Sequence, residues 1–239
     1  MTNYSYEENR NLEIKIAQII KDKIYNVLYP HCTIIDNRNK KDPNAESMLQ
    51  TILKTKKISD EEIRKMMDCR MSIDTIIINK FRQLISFQEK TNRWGSWNNK
   101  YYWTENLPKL RIRFQRKIYF EDTNVSRIYD AELSRILADM YLVIYLNQYD
   151  NEIQEWVMLD VSIIKQIISQ VNDLKEIGEY VDMGMSDEYK KSAESFYSFS
   201  IFNFRQAIIV GSELFKEYIK TYQLIKPVIK NIEVVPTFN

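Results

Sequence analysis

Apolar positions along the chain change their period several times, and each change marks an element. Over residues 6–28, Ala17, Ile20, Ile24 and Val27 recur three or four apart, which places them on one face of a helix. Glu13 lies one turn before Ala17 on the same stripe. An acid in line with a buried face needs a partner, or it sits partly solvated near the helix start, where the dipole favours it; the solvated position is the simpler account. Pro30 ends the helix. HCTIID at 31–36 reads as a short strand and NRNKKDPN at 37–44 as a polar loop. Short helices follow at 45–56 and at 59–68, the second opened by the capping box of Ser59 and Glu62.

The period then drops to two. MSIDTIII at 71–78 is dense in β-branched residues and stops at Asn79-Lys80, and LISFQEKT at 84–91 is its partner. Together they predict a β-hairpin. Alternation sends Ile85, Phe87 and Glu89 to one face and Ser86, Gln88 and Lys90 to the other. Gln88 and Lys90 therefore share a face in any fold, and Asp74 joins them if the register sets it opposite. Such an acid beside a Gln-x-Lys pair can build a small metal-dependent hydrolytic site. The same pattern is also an ordinary solvated strand end.

Residues 94–103, WGSWNNKYYW, have no period and read as a loop. At 109–120, Leu110, Ile112, Phe114, Ile118 and Phe120 are apolar, while Lys109, Arg111, Arg113, Gln115 and Lys117 alternate with them. A strand is preferred, although Leu110, Phe114 and Ile118 also fit helical spacing. A helix is expected at 129–138, a strand hairpin from 140–147 and 153–160, and a helix at 161–177 with Ile164, Ile167, Ile168 and Val171 inward. Residues 178–185 read as a break, 187–195 as a short helix, 196–204 as aromatic and ambiguous, and 205–225 as a helix closed by Pro227.

Composition narrows the chemistry. With 44% hydrophobic and 28% charged residues among 239, the chain can bury a substantial core. Only 4 Gly argue against a glycine-rich phosphate loop, and a net charge of +1 means that nucleic acid would be held by a local basic patch. Cys32 and Cys69 lack metal-ligand spacing; a disulfide stays open but is not implied, and two isolated thiols fit a reducing compartment. The polar start and the lack of a long apolar run lead to an expectation of a soluble intracellular protein, not a membrane protein. His31 is the one histidine, so histidine-based triads would depend on it and a multi-histidine zinc site cannot form. Carboxylates, Lys, Arg, Tyr or a hard metal on oxygen ligands are left.

With helix, strand, Asp strand, Gln-x-Lys strand, helix and strand in order, residues 6–170 resemble the PD-(D/E)XK nuclease superfamily. Asp74 in SIDTIII and Gln88 and Lys90 in ISFQEKT carry the resemblance, with Glu13 as the candidate helix acid. It implies an α/β, restriction-endonuclease-like core, a central mixed β-sheet flanked by helices, over 1–175, with a helical and aromatic C-terminal extension over 176–239. It further implies Mg²⁺ or Mn²⁺ held by Asp74, Gln88 and Glu13, with Lys90 orienting the attacking water. The departures are the absence of Pro before Asp74, Gln88 in place of the commoner carboxylate, and Glu89 displaced by one residue.

The expected partner is nucleic acid, with DNA favoured. Arg111, Arg113, Arg116 and Lys117 are the candidate phosphate contacts, and Trp94, Trp97, Tyr101, Tyr102 and Trp103 could stack on bases or fill core. Self-association into a homo-oligomer stays open. Three functions compete: a metal-dependent endonuclease, a non-catalytic nucleic-acid-binding or assembly subunit of the same fold, and a protein-interaction scaffold.

Overall fold

Among the described residues of this computed structural model, parallel and antiparallel strand pairs both occur beside few helices. The structure describes residues 6–38, 71–93, 109–120, 125–129, 132, 136–147, 152–182, 192–213 and 216. The helices expected at 45–56 and 59–68, the aromatic stretch at 94–103 and the tail from 217 lie outside the described residues. Contacts divide the chain into two units, each assembled from separated stretches: Met1–Ser96 with Leu137–Trp156, and Trp97–Ile136 with Val157–Asn239. A boundary near residue 175 therefore falls inside the second unit. Among the described residues no helix is long and apolar enough to cross a membrane.

The first unit opens with α1 (Tyr6–Ile20), which passes through one π-helical turn (Lys21–Tyr25) into α2 (Asn26–Leu28). Ile16, Ala17, Ile20 and Ile24 are buried, as their spacing requires. The stripe does not reach Val27, which is 68% exposed. The π turn is the reason. The amide of Asn26 donates to the carbonyl of Lys21, five residues back, so one extra residue enters the turn and rotates everything after it. Tyr25 takes the inward position instead, at 1% exposure.

Four strands of this unit are β1 (Thr33–Asp36), β2 (Thr75–Ile78), β3 (Leu84–Arg93) and, later in the chain, β6 (Met140–Leu146). β1, β2 and β3 form an antiparallel meander, and β3 then pairs in parallel with β6. A parallel pair needs a crossover, and the chain supplies it by leaving at Arg93 and returning at Met140. Tyr141 to Leu146 are all buried, which is why this strand reads as a continuous apolar run. β7 (Ile153–Asp160) is the next neighbour of β6, and across their connection the amide of Asn147 donates to the carbonyl of Glu152 at 2.9 Å.

The second unit takes over within β7. It contains β4 (Lys109–Phe120), β5 (Val125–Tyr129), β8 (Gly178–Asp182), β9 (Ser192–Ser200) and β10 (Ile208–Gly211). β5, β4, β9 and β8 form one antiparallel sheet in that order, and β10 pairs with the end of β7. Tyr129 belongs to β5 and not to the helix expected at 129–138; beyond it, Glu132 is helical and its carbonyl accepts from the amide of Ile136. Residues 136–138 are not helical.

Four expectations give way here. The helix from Val161 stops at Ser169 (α3, Val161–Ser169) instead of running to 177. Its start is capped by Asp160, whose side chain accepts from the amides of Ser162 and Ile163. Its continuation is diverted at Asn172-Asp173, where the Asp173 side chain caps a separate 3-10 turn, Leu174–Glu176. Residues 178–182, read as a break, form β8, and Ser192 to Ser195, read as part of a helix, open β9. Residues 205–207 belong to a 3-10 segment (Ile201–Ala207), and 208–211 form β10 rather than helix. The β-branched run Ile208-Ile209-Val210 favours a strand once β7 offers it an edge.

Gly178 is required where it stands. A Cβ added there would lie 2.5 Å from Cδ1 of Phe199, and Phe199 is 1% exposed with no room to retreat. Gly178→Ala is expected to lower unfolding stability by about 1–3 kcal/mol, the usual cost of overpacking. A urea midpoint unchanged from the parent would show that the ring can move aside.

Candidate functional site

β3 presents two chemically distinct faces in the first unit. On one, Glu89 is a carboxylate with a side chain only 1% exposed. Its Oε1 accepts from the Tyr25 hydroxyl at 2.9 Å and from the Thr75 hydroxyl at 2.7 Å, and its Oε2 accepts from Arg38 Nη2 at 2.8 Å. Arg38 also donates from Nε to Asp36 Oδ1 at 2.9 Å. A buried carboxylate is tolerable only when paired and hydrogen-bonded in this way. Register explains the assembly, because Asp36 opposes Thr75 and Thr75 opposes Phe87, all on the Glu89 side. The Tyr25 ring packs on Phe87 with centroids 5.1 Å apart.

The charges act on one another. Burial raises the Tyr25 hydroxyl pKa, and the adjacent Glu89 carboxylate raises it further. Burial alone would lower the pKa of the Arg38 guanidinium, but Glu89 and Asp36 outweigh that and hold it above its usual value. Arg38 is therefore a fixed cation, and Tyr25 a neutral donor, throughout the physiological range.

The opposite face carries Asp74, Gln88 and Lys90. Two backbone bonds carry the pairing one residue past the strands: Asn37 N–H to the Asp74 carbonyl at 2.9 Å, and Asp74 N–H to the Phe87 carbonyl at 2.8 Å. With Gln88 opposite Tyr141 on β6, the residues Asn37, Asp74, Gln88 and Tyr141 form one row across four chain segments. Asp74 Oδ2 accepts from Gln88 Nε2 and from the Glu89 amide, each at 2.7 Å. Asp74 is 8% exposed. Lys90 Nζ sits over the buried Tyr141 ring, 5.9 Å from its centroid, within cation–π range. Asp139, just before β6, ties that strand to β3, since its Oδ2 accepts from the Ser86 amide and hydroxyl at 2.8 and 2.7 Å.

Asp74 and Gln88 thus meet, and Lys90 shares their face. One expected detail differs. The amide nitrogen of Gln88, not its oxygen, faces Asp74, because a carboxylate attracts a donor. Half a turn of that amide exchanges nitrogen for oxygen. Asn37 was not foreseen. Its Nδ2 donates to the Ile73 carbonyl at 2.8 Å, which fixes the amide orientation, and its Oδ1 is buried without a hydrogen-bond partner.

Among the described residues no three of His, Cys, Asp and Glu come together as metal ligands. A divalent cation here would rely on the Asp74 charge and on the neutral oxygens of Gln88 and Asn37. That donor set fits Mg²⁺ as it is held with one carboxylate, water and substrate phosphate. Glu13 is exposed on α1 and is not among the residues that this row brings together.

In the second unit, β4 begins as the alternation predicts: Leu110 and Ile112 are buried and Arg111 is exposed, its guanidinium 5.3 Å from the centroid of Phe196. A bulge between Arg113 and Gln115 then shifts the register by one, so Arg116 pairs with Glu194 and Lys117 with Ala193. The side chains of Arg113, Arg116 and Lys117 lie outside the described residues.

Glu89 was legible as a carboxylate alternating with Phe87. Its partner Arg38 stood in a loop of several polar residues with nothing to single it out. Tyr25 offers a direct check. In the unfolded chain it ionises near pH 10, whereas in the folded protein it stays neutral. The stability it contributes is complete below about pH 10 and is lost as pH rises further. Tyr25→Phe is expected to cost about 1–3 kcal/mol at pH 8 and to flatten the decline of stability between pH 10 and 11. Parallel declines for the two proteins in urea unfolding would contradict the buried pairing. Compared with protein-family models, curated proteins and solved structures, the chain gives no match.

Proposed function

We propose that this chain is a divalent-cation-dependent nucleic-acid hydrolase, an endonuclease with a restriction-endonuclease-like core, acting at the sheet face of Asp74, Gln88 and Lys90. The observation that carries the reading is the 2.7 Å contact of Gln88 with the Asp74 carboxylate on the face that also bears Lys90. The order helix, strand, Asp74, Gln88-x-Lys90 strand and later parallel strand supports it. Mg²⁺ or Mn²⁺ would be held by Asp74 with the Gln88 oxygen, and Asn37 Oδ1 offers a further neutral oxygen. When bound, the cation supplies charge neutralisation and an activated water.

The chain's own residues do the rest. Asp74 sits in a nearly dry position, where its charge acts with little screening. Lys90, steadied over Tyr141, can orient a water and offset charge on a phosphate. Arg111, with Arg113, Arg116 and Lys117 further along β4, supplies candidate phosphate contacts. DNA is the preferred substrate.

One observation favours a second reading, a nucleic-acid-binding subunit without catalysis. Asp74 Oδ2 already accepts two N–H donors, and a single carboxylate is a modest cation site. The two readings separate in one assay series. Plasmid DNA and a structured RNA are incubated with the full chain in Mg²⁺, in Mn²⁺ and in EDTA. The hydrolase reading expects metal-dependent cleavage that falls by about 100-fold or more in Asp74→Ala and Lys90→Ala. Cleavage persisting in both variants rejects this site. Salt-sensitive binding with neither cleavage nor metal uptake selects the second reading.

A further inference from the structure

The turn between β2 and β3 is built with unusual care for a surface connection. Asn79 Oδ1 accepts from the amides of Phe81 and Gln83, each at 2.9 Å. Its Nδ2 donates to Gln83 Oε1 at 2.7 Å. The backbone adds Asn79 N–H to the Gln83 carbonyl at 3.0 Å and Arg82 N–H to the Asn79 carbonyl at 2.9 Å. Arg82 is held at a φ of 62°, in the left-handed region that a non-glycine residue occupies only under constraint. Five hydrogen bonds thus fix a five-residue tip.

This tip projects an aromatic ring between two cations. Phe81 is 72% exposed, and Lys80 and Arg82 beside it are both exposed. Lys80 Nζ lies 5.0 Å from the Phe81 ring centroid. Among the described residues neither cation is paired with a carboxylate, and the sequence has no Asp or Glu between Asp74 and Glu89. Single exposed apolar residues are common and need no explanation. A rigid, acid-free turn that holds one ring between two positive charges is a more specific arrangement.

We infer that Lys80, Phe81 and Arg82 form a nucleic-acid contact, in which Phe81 stacks on a base while Lys80 and Arg82 meet the flanking phosphates. Stacking on an aromatic ring tolerates any base, and the two cations supply the sequence-independent part of the affinity. A rigid tip loses little entropy on binding. A lipid surface is the less suitable occupant, because one phenyl ring and two cations give only marginal membrane attachment. The tip lies five residues along β2 from Asp74, about 17 Å at strand rise, so one strand of nucleic acid could touch both. The inference rests on the nucleic-acid reading of this chain and does not require that Asp74 bind a cation.

The test is fluorescence anisotropy with the full chain, in EDTA, on a labelled single-stranded DNA and on a labelled duplex. EDTA keeps the cation site out of the measurement, so failure here and failure of cleavage are separate results. Phe81→Ala is expected to weaken binding about tenfold, and Phe81→Trp to retain it. The double variant Lys80→Gln with Arg82→Gln is expected to reduce the slope of log affinity against log salt by roughly 1.5. Thermal melting should match the parent in Phe81→Ala, since that side chain is exposed. Unchanged affinity and slope across the variants, or a parent that binds neither DNA at low salt, overturns the inference. So does a loss that appears on anionic phospholipid vesicles and not on DNA.

Discussion

A buried carboxylate, Glu89, is the constraint on which the first unit's geometry depends. Taking its charge out of water costs several kcal/mol, and three donors offset that cost: Arg38, Tyr25 and Thr75. They arrive from three places in the chain, the π turn after α1, the end of β1 and the start of β2. Each can reach Glu89 only when these segments lie in the observed order and register. A slip of β3 by one residue would send Glu89 to the other face and bring Gln88 among donors that have no use for it. The buried charge therefore selects the register as well as contributing to stability.

The candidate site follows from that selection. Because side chains alternate, fixing Glu89 on one face fixes Gln88 and Lys90 on the other. The same register sets Asp74 beside Gln88, and the Glu89 amide itself donates to Asp74 Oδ2. One dipeptide, Gln88-Glu89, thus serves structure with one side chain and candidate chemistry with the other. The orphaned oxygen of Asn37 lies in the same row of the sheet. An unsatisfied buried acceptor costs free energy, and it persists here in the row of residues proposed to hold a cation.

Much of the first unit could be read in the residues. The run MSIDTIII, the alternation in LISFQEKT and the apolar block at 140–146 were sufficient to place β2, β3 and β6 and the faces of β3. The π turn was hidden, because nothing in KDKIY distinguishes it from an α-helical turn, and it decided between Tyr25 and Val27. Arg38 was hidden for another reason: loop residues gain meaning only from long-range partners. In the second unit, short aromatic and β-branched stretches such as FYSFSIFNF and AIIV fit either period. Their strands were settled by pairing with β4 and β7, which local pattern cannot reveal.

The most direct measurement of this account is a double-mutant cycle on Arg38 and Glu89, using Arg38→Met, Glu89→Leu and the combined variant in urea unfolding. If Glu89 is buried against Arg38, Arg38→Met strands the Glu89 charge and costs about 3–5 kcal/mol, while Glu89→Leu leaves Arg38 its contact with Asp36 and costs less. The combined variant then loses markedly less than the sum, with a coupling of more than about 1 kcal/mol. Losses that simply add would mean that the two side chains do not meet in the folded chain, and the register argued from their pairing would lose its basis.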